Sequence, residues 1–191
     1  ADHSVIVWDL NRCRFVRQLK EPDQPIQLVA IDDQRGWIAA AAGSEVWVWS
    51  INGFLLVHQS TRSATNDPPS SMTFVARDFH VDKLGVLVTG HRDCIVMWDI
   101  VSNHARATPP RWRLEKNTVL SLRQSSKATC LYMPNTSTLC TGHEDGEVYV
   151  WTLPGAATLP KAPQEQCIGQ CDHRFGFLDV KRACQGCGAL I

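Results

Sequence analysis

The 191-residue sequence has no excess of charge: Lys+Arg and Asp+Glu number 19 each. Binding to nucleic acid or to an anionic lipid surface rests on accumulated positive charge, so no nucleic-acid partner is expected. Long hydrophobic runs are missing too. The longest apolar stretch, Trp37 to Gly43, is far short of the ~18 residues that a membrane-spanning helix needs. No signal peptide is visible. No HExxH motif, nucleophile motif or glycine-rich phosphate loop occurs, so no catalytic residue is assigned and an enzyme is not expected. Hydrophobic residues at 44% and charged residues at 20% exclude a collagen-like chain and a disordered tail. An initiator Met is also absent. The chain opens at Ala1 directly into what reads as a strand, and it is expected to be a piece of a longer protein.

What is present is a repeat. Four segments share one pattern: Val5–Leu10, Val46–Ile51, Ile95–Ile100 and Val148–Leu153. Each is rich in β-branched residues and ends in Trp, a small polar residue and an aliphatic. The tryptophans are Trp8, Trp49, Trp98 and Trp151, at spacings of 41, 49 and 53 residues. Propeller blades recur at about 40–45 residues, so the later spacings call for longer loops. An apolar run precedes each of the last three: Trp37–Ala42, Gly85–Thr89 and Ser137–Thr141. Tight polar turns join them to the Trp segment, which is a hairpin signature. Further upstream lie Ile26–Ile31, Met72–Ala76 and Ala128–Met133. Downstream lie Arg14–Leu19, Phe54–His58, and either Arg111–Leu114 or Thr118–Leu122. Four antiparallel strands per repeat is the blade of a β-propeller. The fold is therefore expected to be all-β, a partial propeller of about three to four blades over residues 1–153 with its first blade truncated. The tryptophans are expected to pack between blades.

Trp8-Asp9 and Trp98-Asp99 carry a dipeptide that resembles the WD-repeat signature. The resemblance implies that the turn residues Asp93 and Asp145, with Asp2, are structural acceptors for turn amides. Gly90-His91 and Gly142-His143 sit too close to the Trp strand to match the family's Gly-His. Their imidazoles are expected to be solvated in the turn, without a catalytic role.

Composition shifts after Trp151. Pro154, Gly155, Pro160 and Pro163 mark a linker over 154–166. Cys167, Cys171, Cys184 and Cys187 follow, half of the eight cysteines. Paired cysteines without a secretory signal favour zinc over disulfides, because two close pairs supply four soft ligands for a tetrahedral ion. Cys13, Cys94, Cys130 and Cys140 are expected to be buried free thiols.

Residues 167–191 resemble the start of a FYVE-type zinc finger: two cysteine pairs, Phe175, Lys181-Arg182 before the second pair, and Cys187-Gly188. In that family four pairs hold two zinc ions in crossed order, so the resemblance implies an incomplete finger here. The family's 3-phosphate-binding positions are occupied by Arg182, Ala183 and Gln185, which implies a degenerate finger that reaches a phosphoinositide membrane only indirectly. Repeats followed by such a finger resemble the C-terminal part of BEACH–WD-repeat–FYVE proteins, with Trp49–Gly53 similar to a WSING segment of that family. The resemblance implies a non-catalytic scaffold in vesicle traffic or selective autophagy. It would bind proteins through its propeller loops, in the cytoplasm at the periphery of endosomal or autophagic membranes. The alternative is a WD-repeat adaptor with an unrelated four-cysteine zinc knuckle.

Overall fold

A computed structural model describes residues 3–75, 84–102, 112–122, 125–135 and 137–153. They fall in the compact unit Ala1–Pro154. Thirteen strands occur among them: β1 (Val5–Asp9), β2 (Arg14–Leu19), β3 (Leu28–Asp32), β4 (Trp37–Ala42), β5 (Glu45–Ser50), β6 (Leu55–Ser60), β7 (Ser71–Val75), β8 (Gly85–Gly90), β9 (Cys94–Ser102), β10 (Trp112–Ser121), β11 (Ala128–Asn135), β12 (Thr138–His143) and β13 (Val148–Thr152). The one helical turn among the described residues is the 3-10 turn Thr61–Ser63.

Strands pair antiparallel in chain order, giving four sheets: β1-β2, β3 to β6, β7 to β10, and β11 to β13. Two are complete four-stranded blades. The last shows three strands among the described residues. First strands lie against first strands, β3 on β7 and β7 on β11, and the fourth strands β6 and β10 lie side by side. This is a partial WD-repeat propeller.

The second blade shows how composition sets the packing. All of β4, Trp-Ile-Ala-Ala-Ala-Ala, is buried. Alanine is a poor strand former on its own. Here alanines leave volume for bulkier neighbours on β5: Ala40 stands opposite Trp47, and Ala39 and Ala41 stand opposite Val48 and Val46. The period of two then sends Val46 and Val48 into the core shared with the third blade, and Trp47 and Trp49 into the core facing the first. The β4–β5 turn needs only Gly43 and Ser44. Gly43 adopts a φ of +56°, and a Cβ there would meet the Gln24 side chain at 2.6 Å.

A register break recurs at every tryptophan whose third and fourth strands are both described. The pairing shifts between Val7 and Trp8, between Val48 and Trp49, and between Lys116 and Thr118, opposite Trp98 and Met97. Each break leaves one extra residue on the fourth strand: Val16, Leu56 and Asn117. Such a bulge bends and twists the outer strand. It also explains why Arg111–Leu114 and Thr118–Leu122 read as alternatives: Trp112–Ser121 is one strand, interrupted by Asn117.

Candidate functional site

Trp98 and Trp151 anchor matching hydrogen-bond relays. Trp98 Nε1 donates to Thr89 Oγ1 at 2.9 Å, and Thr89 Oγ1 lies 2.9 Å from His91 Nε2. His91 Nδ1 lies 2.9 Å from the Asp67 carbonyl. In the next blade Trp151 Nε1 donates to Thr141 Oγ1 at 3.1 Å, Thr141 Oγ1 is 2.9 Å from His143 Nε2, and His143 Nδ1 is 3.1 Å from the Ser126 carbonyl. A carbonyl can only accept, so Nδ1 carries the proton and Nε2 accepts from the threonine hydroxyl. Every donor then has an acceptor: indole to threonine to imidazole to backbone.

His91 is fully buried and His143 nearly so, which corrects the expectation of solvated turn histidines. The threonine hydroxyl two residues earlier on the second strand draws each ring inward. Burial holds the His91 pKa below its ordinary value, against the pull of the Asp67 carbonyl, so the ring stays neutral. With both nitrogens engaged, these imidazoles tie a turn to the preceding inter-blade segment. A recurring Thr-Gly-His with Trp nine or ten residues downstream was the available signal. The second blade has Ala40 at the threonine position, and there Trp49 Nε1 donates instead to Glu21 at 3.0 Å.

Among the other singled-out residues, Trp49 and Trp98 are buried, Trp151 is half-buried, and Trp8 is exposed against Phe15, with ring centroids 6.1 Å apart. Asp145 acts as the expected turn acceptor: its carboxylate takes the Glu147 N–H at 3.0 Å, which holds its pKa below the usual carboxylate range. At the corresponding turn of the third blade, the Asp93 side chain is exposed and its backbone carbonyl accepts the Leu122 N–H at 3.0 Å. Asp2 lies outside the described residues. Of the four scattered cysteines, all free, only Cys94 is buried, and burial pushes its thiol pKa up. Cys13 and Cys130 are exposed because one sits in the β1–β2 turn and the other on a first strand's uncovered face. Cys167, Cys171, Cys184 and Cys187 lie outside the described residues.

The turns joining third to fourth strands offer a surface. Leu10 in the β1–β2 turn, and Ile51 and Phe54 around the β5–β6 turn, are exposed at the same end of adjacent blades. Arg17 braces this end by donating to the Asn52 carbonyl. On the same side Trp37 packs against Phe74 and Trp112, with centroids 6.4 and 5.2 Å away, under the Arg35 guanidinium at 5.6 Å. Arg35 is in turn held by Asp32 at 2.7 Å in a buried pair. The result is a rigid platform carrying exposed apolar tips.

No protein-family model matches the chain. It is 25% identical to Beige protein homolog 1 of Schizosaccharomyces pombe over 98% of its own length and 8% of the relative's. It is 30% identical to BEACH domain-containing protein A2 of Arabidopsis thaliana over 84% of its length and 5% of the relative's. Its homologues include BEACH-domain proteins. A shorter match, 35% identity over 66 residues, joins it to the human Lysosomal-trafficking regulator, covering 32% of the chain and 2% of the relative. The chain thus spans less than a tenth of the length of these BEACH-protein relatives.

Proposed function

We propose that this chain is a non-catalytic protein-interaction scaffold within a large vesicle-trafficking or selective-autophagy protein. The observation that carries the reading is similarity to BEACH-domain relatives along 98% of the chain, together with a relative whose name is Lysosomal-trafficking regulator. The exposed Leu10, Ile51 and Phe54 turns on a braced blade end support it, since clustered exposed apolar residues mark contact surfaces. Partners are proteins, met at these turns in the cytoplasm beside endosomal or autophagic membranes. Phosphoinositide contact is indirect.

Cys167, Cys171, Cys184 and Cys187 belong to the same proposal as zinc ligands of a degenerate FYVE-type finger, or of a self-contained knuckle in the alternative reading. In the knuckle reading the four thiolates suffice for one tetrahedral zinc, whereas in the FYVE-type order the two pairs serve different ions and each needs a further pair. Proximity labelling in cells tests the scaffold reading. Trafficking or autophagy proteins are expected among those labelled, with loss of some on Leu10→Ser plus Phe54→Ser. Recovery of only chromatin or secreted proteins would contradict it.

A further inference from the structure

One of the six asparagines is followed by glycine. Asn11, Asn66, Asn103, Asn117 and Asn135 precede Arg12, Asp67, His104, Thr118 and Thr136, whereas Asn52 precedes Gly53. The pair sits in the β5–β6 turn, where Asn52 is exposed and Gly53 adopts a φ of +85°. A residue without Cβ leaves its backbone nitrogen open to approach by the preceding side chain. Three hydrogen bonds fasten the turn. The Gly53 N–H donates to the Ser50 carbonyl at 2.8 Å, and the Ser50 N–H donates to the Phe54 carbonyl at 2.9 Å. The Arg17 guanidinium, from β2 of the neighbouring blade, donates to the main-chain carbonyl of Asn52. Among the described residues no carboxylate pairs with Arg17.

We propose that Asn52-Gly53 is a spontaneous deamidation site and that Arg17 directs its product to isoaspartate. Solvent base removes the Gly53 amide proton, and the Gly53 nitrogen bonds to Asn52 Cγ. The Cγ–Nδ2 bond breaks, and Nδ2 takes a proton from solvent and leaves as ammonia. A five-membered succinimide remains. Water then adds to one of its two carbonyl carbons, and the ring C–N bond at that carbon breaks. The nitrogen regains its proton, and the new acid gives one up to solvent. Addition at Cγ yields aspartate. Addition at the main-chain carbonyl yields isoaspartate: the chain then runs through Cγ, and the former main-chain carbonyl is freed as a carboxylate. Arg17 donates to that same oxygen. A donor held there favours the oxyanion that forms as water adds, and the guanidinium then gains a carboxylate partner. The Gly53 bond to Ser50 must open before the ring can close, so the folded chain reacts more slowly than a free peptide while favouring one product.

Asp145-Gly146 is the matched turn in the fourth blade. Gly146 has a φ of +86°, and its N–H donates to the His143 carbonyl at 3.0 Å. The Asp145 carboxylate accepts the Glu147 N–H and is held ionised, and an ionised carboxylate offers no ready leaving group for the same ring closure. Asn52 is the reactive member of the two. Its conversion sets a negative charge between the exposed Ile51 and Phe54, and that charge appears whether or not these side chains meet a partner.

The test ages the full chain at neutral pH and body temperature, beside the end-capped peptide Ser50–Phe54. Digestion in mild acid and mass spectrometry follow the conversion, and an isoaspartyl methyltransferase tells isoaspartate from aspartate. Asn52 is expected to convert ahead of the other five asparagines. The isoaspartate-to-aspartate ratio is expected to be at least about threefold higher in the chain than in the peptide. Arg17→Gln should bring the ratio down to that of the peptide, and Arg17→Lys, which keeps a charged donor, should hold it above. Tryptophan fluorescence checks that both variants fold. Mere loosening of the turn would change the rate and leave the ratio alone. An Asn52 that outlasts the other asparagines overturns the site, and equal ratios in chain and peptide overturn the role of Arg17.

Discussion

The Gln59 carboxamide binds both backbone groups of Leu114. Its Nε2 donates to the Leu114 carbonyl at 2.8 Å, and its Oε1 accepts the Leu114 N–H at 2.9 Å. The two residues sit on the fourth strands β6 and β10 of successive blades, so one side chain replaces a rung of ladder that the diverging outer strands do not make. Leu114 is buried, which makes the satisfaction matter. Gln59→Leu is expected to cost about 2–3 kcal/mol, because two buried backbone groups are left unpaired. Gln59→Glu should recover only the N–H contact. Urea unfolding followed by tryptophan fluorescence checks both.

Removing one relay hydroxyl disturbs two partners. Thr89→Val keeps the shape but strands the Trp98 N–H and removes the donor facing His91 Nε2. An expected loss of about 2–4 kcal/mol follows, with Thr89→Ser losing less than about 1.5 kcal/mol. Equal stability of the Val and Ser variants would remove the relay from the account.

The tryptophans should grade by burial. Trp98→Ala removes a buried ring at the junction of two blades and is expected to cost about 3–5 kcal/mol. Trp8→Ala loses mainly its edge contact with Phe15 and should cost about 1 kcal/mol or less. Chemical denaturation of the two variants measures the difference.

Much of this was legible in sequence because the Trp-bearing strand repeats its apolar alternation four times. Trp37–Ala42 and Arg14–Leu19 coincide with β4 and β2, and the third strands agree within two residues at either end. The relays were not legible. A histidine beside glycine and charged residues reads as a solvated turn, and only its register against a threonine two residues before it and a tryptophan seven or eight residues after it turns it inward. Asn117 hid the continuity of β10, since an extra residue reverses the alternation by which a strand is recognised. Cys13 and Cys130 are exposed against expectation, because hydrophobicity alone neither assigns Cys13 to a turn nor says which face of β11 is covered.

Acid should weaken the fold through His91. Its folded-state pKa lies below the ordinary value of 6.5, so the unfolded chain binds the proton more readily. Stability from this group is complete above about pH 6.5 and is lost as pH falls from there through the lowered pKa. His91→Gln should flatten that part of the pH profile, measured as the urea midpoint between pH 5 and about 7.5, the range on either side of an ordinary imidazole pKa.

Close packing at Gly85 gives a further outcome. A Cβ there would lie 2.7 Å from the Trp37 ring, and that ring is wedged between Phe74 and Trp112. Gly85→Ala is expected to cost about 1–3 kcal/mol by overpacking. A near-ultraviolet circular dichroism change should accompany it, since the Trp37–Trp112 geometry must shift.

The described blades are tightly built at their inner sheets, whereas Ile6 and Trp8 on the first described sheet and Val148 and Val150 on the last are exposed. Residue-resolved amide hydrogen exchange on the full chain tests this contrast most directly. Amides of β4, β5, β8 and β9 are predicted to exchange only through global opening, whereas those of β1, β2 and β13 exchange faster by at least about a hundredfold through local opening. Uniform protection across β1, β8 and β13 would contradict the account.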